Sequence, residues 1–238
     1  MTVGIYLKAP DYYALMGTFT AMDSFVERMR SSWKMAFSDK RFINTFFIGL
    51  GLLVGLLSLL PFFYPHIEGR DGYRLNDWLL NRLTPRDVSI PVFMIVWGAG
   101  ILGVYRALHN PLILLRFFYA YIFFIITRST CLVFVPLDPP AGIVELKDPL
   151  TNIFYGGAFM MKDLFYSGHT TAVVIIAILL PKRSDKMVLV AAAIVLGGLL
   201  LVQHVHYTID VLAALPFGFI CCVAGNWVVK KSLSFAKT

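Results

Sequence analysis

A chain of 238 residues that is 58% hydrophobic, with a mean hydropathy of +0.73 and 15% charged residues, is too apolar for a soluble domain with a wetted surface. The formal net charge of +7 then reads as a membrane-surface and topology feature, and nucleic acid is not an expected partner. Cys131, Cys221 and Cys222 all fall inside apolar stretches, and an odd number so placed argues against a disulfide framework.

In chain order, the first element is striped rather than uniformly apolar. Tyr12, Met16, Phe19, Met22, Val26, Met29 and Trp33 recur at spacings of three and four, with Arg28, Arg30 and Lys34 near the end of the pattern. A helix here is too polar to span. It is expected to lie on the anionic cytoplasmic leaflet, or else to dock against the bundle or a second subunit. No charged start followed by a short apolar core and a small-residue cleavage site is present, so no removable signal peptide is expected. The chain thus divides into an amphipathic, interfacial segment, 1–41, and a membrane domain, 42–238.

Six apolar runs near the ~20 residues needed to cross hydrocarbon follow. They are Phe42 to Phe63, Ile90 to Leu108, Leu112 to Val135, Leu164 to Leu180, Met187 to Val202 and Tyr207 to Val229. Pro61, Pro65, Pro111, Pro136 and Pro181 are expected to mark span ends, and Pro216 a kink. Lys and Arg concentrate before the first run, around Arg106 and Arg116, at Lys182, Arg183 and Lys186, and in the tail. The charge rule puts those regions in the cytoplasm. The expectation is an all-α integral membrane protein, a bundle of six transmembrane helices with both termini cytoplasmic.

Two polar strings stand out in this apolar chain: Ser167-Gly168-His169-Thr170 and His206-Tyr207-Thr208-Ile209-Asp210. Both fall near the predicted non-cytoplasmic face, as does Arg128, about two turns from the end of the third run. Ionisable groups in such surroundings mark function. If the last helix begins near His206, then His206 and Asp210 stand at i and i+4 on one face. A carboxylate that holds one imidazole nitrogen leaves the other free as a nucleophile or base. His169, from another helix, is placed to act as general acid and base. Arg128 and Lys162 are the available cations for an anionic centre, and with Asp163 and Ser167 they make up the candidate phosphate-binding set. The combination points to phosphoryl transfer through a histidine nucleophile.

Rival readings exist for each part. His206 and Asp210 at this spacing also suit a structural pair, and Arg128 suits a side chain snorkelling to head groups. A metal site could draw on Asp163, His169, His204, His206 and Asp210, although no close signature such as HExxH or paired CxxC is present. A transporter would place such groups at mid-membrane on broken helices rather than near helix ends.

The run from Lys162 to Thr170, followed by His206 to Val211, resembles the paired signatures of the sphingomyelin synthase related branch of the type 2 phosphatidic acid phosphatase superfamily. The stretch Thr127 to Pro140, with Arg128 and then Pro136-Leu137-Asp138-Pro139-Pro140, is similar to that branch's arginine-containing third helix and its exit. The resemblance implies a cofactor-free, six-helix enzyme acting on phosphorylated lipid head groups, with phospholipid and lipid-alcohol substrates. It makes His206 the nucleophile, Asp210 its orienting acid and His169 the acid and base. The family's Cys-Gly lead-in before Asp163 is replaced by Met161-Lys162, and the arginine that the hydrolase branch carries six residues before its second histidine is Leu200. The pattern therefore fits the synthase-like branch better: a phospho-head group passes to an alcohol such as ceramide, or to water in the hydrolase alternative. A second copy of the chain is a candidate partner.

Overall fold

A computed structural model describes residues 25–147 and 160–234. Within them the chain is helical, with the elements α1 (Lys40–Glu68), α2 (Ser89–His109), α3 (Pro111–Phe134), α4 (Gly168–Leu179), α5 (Arg183–Val202) and α6 (Thr208–Ser234), plus a single 3-10 turn at Leu80–Arg82. Five of these, all but α4, are long and apolar enough to cross a membrane. α4 has 12 residues, about 18 Å at 1.5 Å per residue, against roughly 30 Å of hydrocarbon. The expected fourth span from Leu164 is therefore shorter as a helix, because Leu164 to Ser167 form irregular backbone.

Local chemistry explains the other boundaries. α3 starts on the Asn110 side chain, which accepts from the Leu112 amide, with Pro111 at the first helical position, where a missing donor costs nothing. Its far end is closed by Arg70, whose guanidinium donates to the Leu132 and Val133 carbonyls and sets a cation against the negative end of the helix. α1 differs from expectation. It runs through Pro61 and Pro65 to Glu68 instead of stopping, since both prolines are on its exposed side, where their rings meet no neighbouring helix.

α4 sits at the centre, packed against α6 and α5 most extensively and also against α2 and α3. Thr170, Thr171 and Val173 to Ala177 are all buried. The irregular backbone before it is sheltered too: Leu164, Tyr166 and Ser167 are buried in protein. α3 and α6 form the closest pair. A Cβ on Gly225 would stand 2.5 Å from the Ala120 amide nitrogen, so only glycine allows the backbones to meet. α1 lies outside this pair, joined to α3 by the Tyr119 hydroxyl, which donates to the Thr45 carbonyl at 3.0 Å.

At the end where α4 and α6 begin, the loops are stitched together. Tyr73 and Leu137 form a bridge, and Gly72 is pressed so close that a Cβ would lie 2.5 Å from the Leu137 carbonyl carbon. Asp77 reaches across to the start of α6, accepting from the Thr208 amide at 2.6 Å and its hydroxyl at 3.0 Å, and from the Leu79 and Leu80 amides. The Tyr207 hydroxyl donates to the Asp138 carbonyl and accepts from the Leu75 amide. Gln203 is fully buried; its side chain accepts from the Val88 amide and donates to Ser89 Oγ and the Glu145 carbonyl.

The opposite end is clamped by Arg106, which donates to both carboxylate oxygens of Asp185 at 2.7 and 3.2 Å. Residues 25–36 are helical and dock there: Trp33 Nε1 donates to the Leu108 carbonyl at 2.7 Å, and Phe25 stands edge-on to His109. For this part of the amphipathic segment, docking on the bundle is the observed arrangement. Tyr12, Met16, Phe19 and Met22 lie outside the described residues.

Two outcomes follow from this packing. Gly225→Ala is expected to destabilise the protein by about 1–3 kcal/mol through overpacking, while Gly55→Ala, where a Cβ meets nothing within 4 Å, is expected to be neutral or slightly stabilising; thermal unfolding in detergent compares them. For Asp77, burial pushes the carboxyl up, but the hydrogen bonds from Thr208, Leu80 and Leu79 outweigh it and hold the group below the usual carboxylate range. A lowered native value stabilises above the ordinary range and is lost as pH falls through it. Asp77→Asn should therefore lower the melting temperature by about 2–4 °C at neutral pH, and the gap to wild type should close below about pH 4.

Candidate active site

Arg128 stands on α3, about two turns from its end, and is only 5% exposed. A guanidinium so buried needs an anion, and Asp163 supplies it: its Oδ1 accepts from Arg128 Nη1. Asp163 is itself held by a short clamp. Glu68 Oε2 accepts from the Met161 and Lys162 amides at 3.1 and 3.0 Å, fixing residues 161–163 against the end of α1.

The flat guanidinium lies along the bare backbone of Gly168. A Cβ there would come within 3.0 Å of Arg128 Nε and 3.2 Å of Nη2, so any larger residue would push the guanidinium away by a few tenths of an ångström. Gly168 opens α4. Its neighbour Ser167 is the N-cap, with its Oγ 3.5 Å from the Thr170 amide and 3.1 Å from Thr170 Oγ1. The amide end of a helix thus adds a partial positive charge beside Arg128.

His169 is the second residue of α4, half-buried, with its ring edge-on to Phe93 at 6.1 Å. Arg128, Asp163, Gly168 and His169 form the polar end of a cleft of about 270 Å³ whose remaining wall is mostly apolar, including Leu57, Leu60 and Phe124. One cationic side chain, one histidine and a helix N-terminus at the mouth of an apolar slot suit a lipid phosphate.

The second string is tied to the first by backbone. The Ser167 amide donates to the Asp210 carbonyl at 3.0 Å, fastening the start of α4 to the first turn of α6. His206 and Tyr207 precede α6, which begins at Thr208. The expected helical i, i+4 register is therefore replaced by a different local device. Asp210, third in the helix, folds back so that Oδ2 accepts from the Tyr207 amide at 2.9 Å, as in half of a capping box. The same oxygen lies 3.4 Å from His206 Nδ1. That is longer than a formed hydrogen bond. Asp210 is fully buried and His206 is 4% exposed. His206 is not on the wall of the cleft that holds His169 and Arg128.

The remaining sequence candidates are used differently. Lys162 Nζ is engaged by Asp138 Oδ1 at 3.1 Å and by the Arg70 carbonyl, tying two loops together. The Ser167 hydroxyl is fully buried in its cap. His204 has a positive φ of 58° and sets its two ring nitrogens against the Ala141 and Leu83 carbonyls, a loop-locking role. Among the described residues no group of three His, Cys, Asp or Glu side chains converges as a metal site would require. Leu200, six residues before His206, is packed in the core. Sequence reading missed Asp77 in the α1–α2 loop, Glu68 at the end of α1 and Gln203 at the end of α5, which hold the loops around the strings; an acid or amide between two apolar runs is the sole signal.

No curated protein and no solved structure matches the chain significantly. Residues 162–226 match the family model described as PAP2 superfamily C-terminal, the type 2 phosphatidic acid phosphatases. The match covers both polar strings and leaves Arg128 outside it. It supports a place in that superfamily, with a lipid phosphatase or phosphotransferase type of activity.

Proposed function

We propose that the protein is a membrane lipid phosphotransferase that moves a phospho-head group from a glycerophospholipid to a lipid alcohol such as ceramide. The observation that carries this reading is the Ser167 amide bond to the Asp210 carbonyl, which joins the His206 and Asp210 pair to the Arg128 and His169 cleft. In this reading the segment from Leu164 to Leu180 is the fourth of six crossings, both chain ends are cytoplasmic, and the reactive end faces the other side of the membrane.

The chemistry is then a double displacement. Asp210 faces His206 Nδ1, so the lone pair of Nε2 attacks phosphorus. The bond to the diacylglycerol oxygen breaks, and protonated His169 gives that oxygen a proton, leaving a phosphohistidine. The acceptor hydroxyl next gives its proton to His169 and attacks phosphorus, which releases His206. Arg128 and the N-terminus of α4 offset the negative charge on the equatorial oxygens in both steps. No cofactor enters this sequence of steps.

A hydrolase with water as acceptor is the second reading, favoured by the family match at superfamily level. The two separate in one experiment: purified protein in liposomes with head-group-labelled phosphatidylcholine or phosphatidylethanolamine, with and without ceramide. Label in ceramide supports the transferase, and water-soluble label without ceramide supports the hydrolase. His206→Ala is expected to abolish either activity by at least about a thousandfold; turnover that survives it would overturn the nucleophile assignment. Arg128→Lys keeps the charge and loses the planar fork, and a fall of about a hundredfold in kcat is expected. Loss of turnover on adding a chelator would favour the metal alternative.

A further inference from the structure

The catalytic cleft does not end at its apolar wall. A second cavity of about 230 Å³ lies between α2, α3 and α4 and shares Val96, Tyr121 and Ala172 with the cleft. Together they make one groove that starts at His169 and Arg128 and follows α4 to Leu180.

The deep half of the groove is not ordinary lipid-facing surface. Of its lining, Ala107 is 6% exposed, Ile176 5% and Leu180 1%. Close-packed interiors leave few voids larger than a water molecule, and an apolar void of this size does not hold water. In a bilayer the molecule at hand to fill it is an acyl chain, and the polar mouth fixes which one: the chain attached to the phosphate at Arg128. From His169 to Leu180 the groove measures about 16 Å, on the order of a dozen methylene groups in extended form. Its far end is closed by buried Ala107 and Leu180.

Two glycines of α2 keep the groove open. Gly100 lines the groove and a Cβ on it meets nothing within 4 Å, so a larger residue has room there, while a Cβ on Gly103 would stand 3.3 Å from Ile176 Cγ2. We propose that this groove holds one acyl chain of the phospholipid substrate and that Gly100 and Gly103 set the chain length it accepts. The proposal rests on the lipid-phosphate reading of the site.

Two measurements test it. The first needs no turnover: phosphatidylcholine carrying a diazirine at the terminal methyl of one chain is mixed at equimolar ratio with the full protein in detergent, irradiated, and the adducts mapped. Adducts at 100–107 and 173–180 are expected. Gly100→Leu should cut them at least about fivefold, and Gly100→Ala should do so in the same direction to a smaller extent, keeping the test valid if the larger residue disturbs folding. Gly98→Leu, on the same helix but outside the groove, should leave them unchanged. Label confined to outward-facing residues such as Val188 and Ile194, or equal groove label in wild type and both Gly100 variants, overturns the proposal.

The second measurement is the ratio of kcat/KM for dioleoyl over dioctanoyl substrate, expected to fall at least tenfold in Gly100→Leu. An unchanged ratio overturns the length-setting role. A protein that turns over no phospholipid yet labels in the groove overturns the catalytic reading and leaves the groove standing.

Discussion

A backbone amide inside an apolar slab must find its acceptor within the protein, because no water is there to take its place. Helices meet this condition by themselves; the irregular residues around 160–167 and 203–207 cannot. The Ser167 amide solves it by donating to the Asp210 carbonyl, and the geometry of the site follows. That bond fixes the start of α4 beside the start of α6, which sets His169 near the turn that carries His206. The Tyr207 amide solves the same problem with the Asp210 side chain, and the carboxylate is thereby oriented toward His206 Nδ1. The groups that satisfy the backbone are the groups that arrange the chemistry.

The second condition concerns charge. Arg128 is nearly inaccessible, and its charge is tolerable there because Asp163 pairs with it and the bare Gly168 backbone lets it lie flat. Asp163 in turn depends on Glu68, and the end of α3 depends on Arg70. The end of α1 therefore sets the polar end of the cleft without contributing a wall charge to it.

What sequence made legible was what depends on local pattern. The spans α1, α2, α3, α5 and α6 follow from apolar run length, and the interest of His169, Arg128, His206 and Asp210 from their being ionisable in apolar surroundings. Three expectations about helix ends failed for physical reasons; α1 runs on through Pro61 and Pro65, which lie on its exposed side. Leu164 to Ser167 are apolar or small, and nothing in their composition separates buried irregular backbone from helix. His206 was read into the helix because i, i+4 spacing permits contact there, yet it lies in the bend before α6 and Asp210 reaches back to it from the first helical turn. The support from Asp77, Gln203 and Tyr207 joins residues more than fifty positions apart, and such pairings leave no local trace.

The loops that hold the site come from between three helix pairs, α1–α2, α3–α4 and α5–α6, and its carboxylate Asp210 lies on α6 itself. A chain is made and threaded into the membrane from its N-terminus. Until α6 enters, the Ser167 amide has no carbonyl to meet, Asp77 has no helix to cap, and Tyr207 cannot bridge Leu75 to Asp138. The contacts that order the candidate site can therefore form only once the final helix is in place.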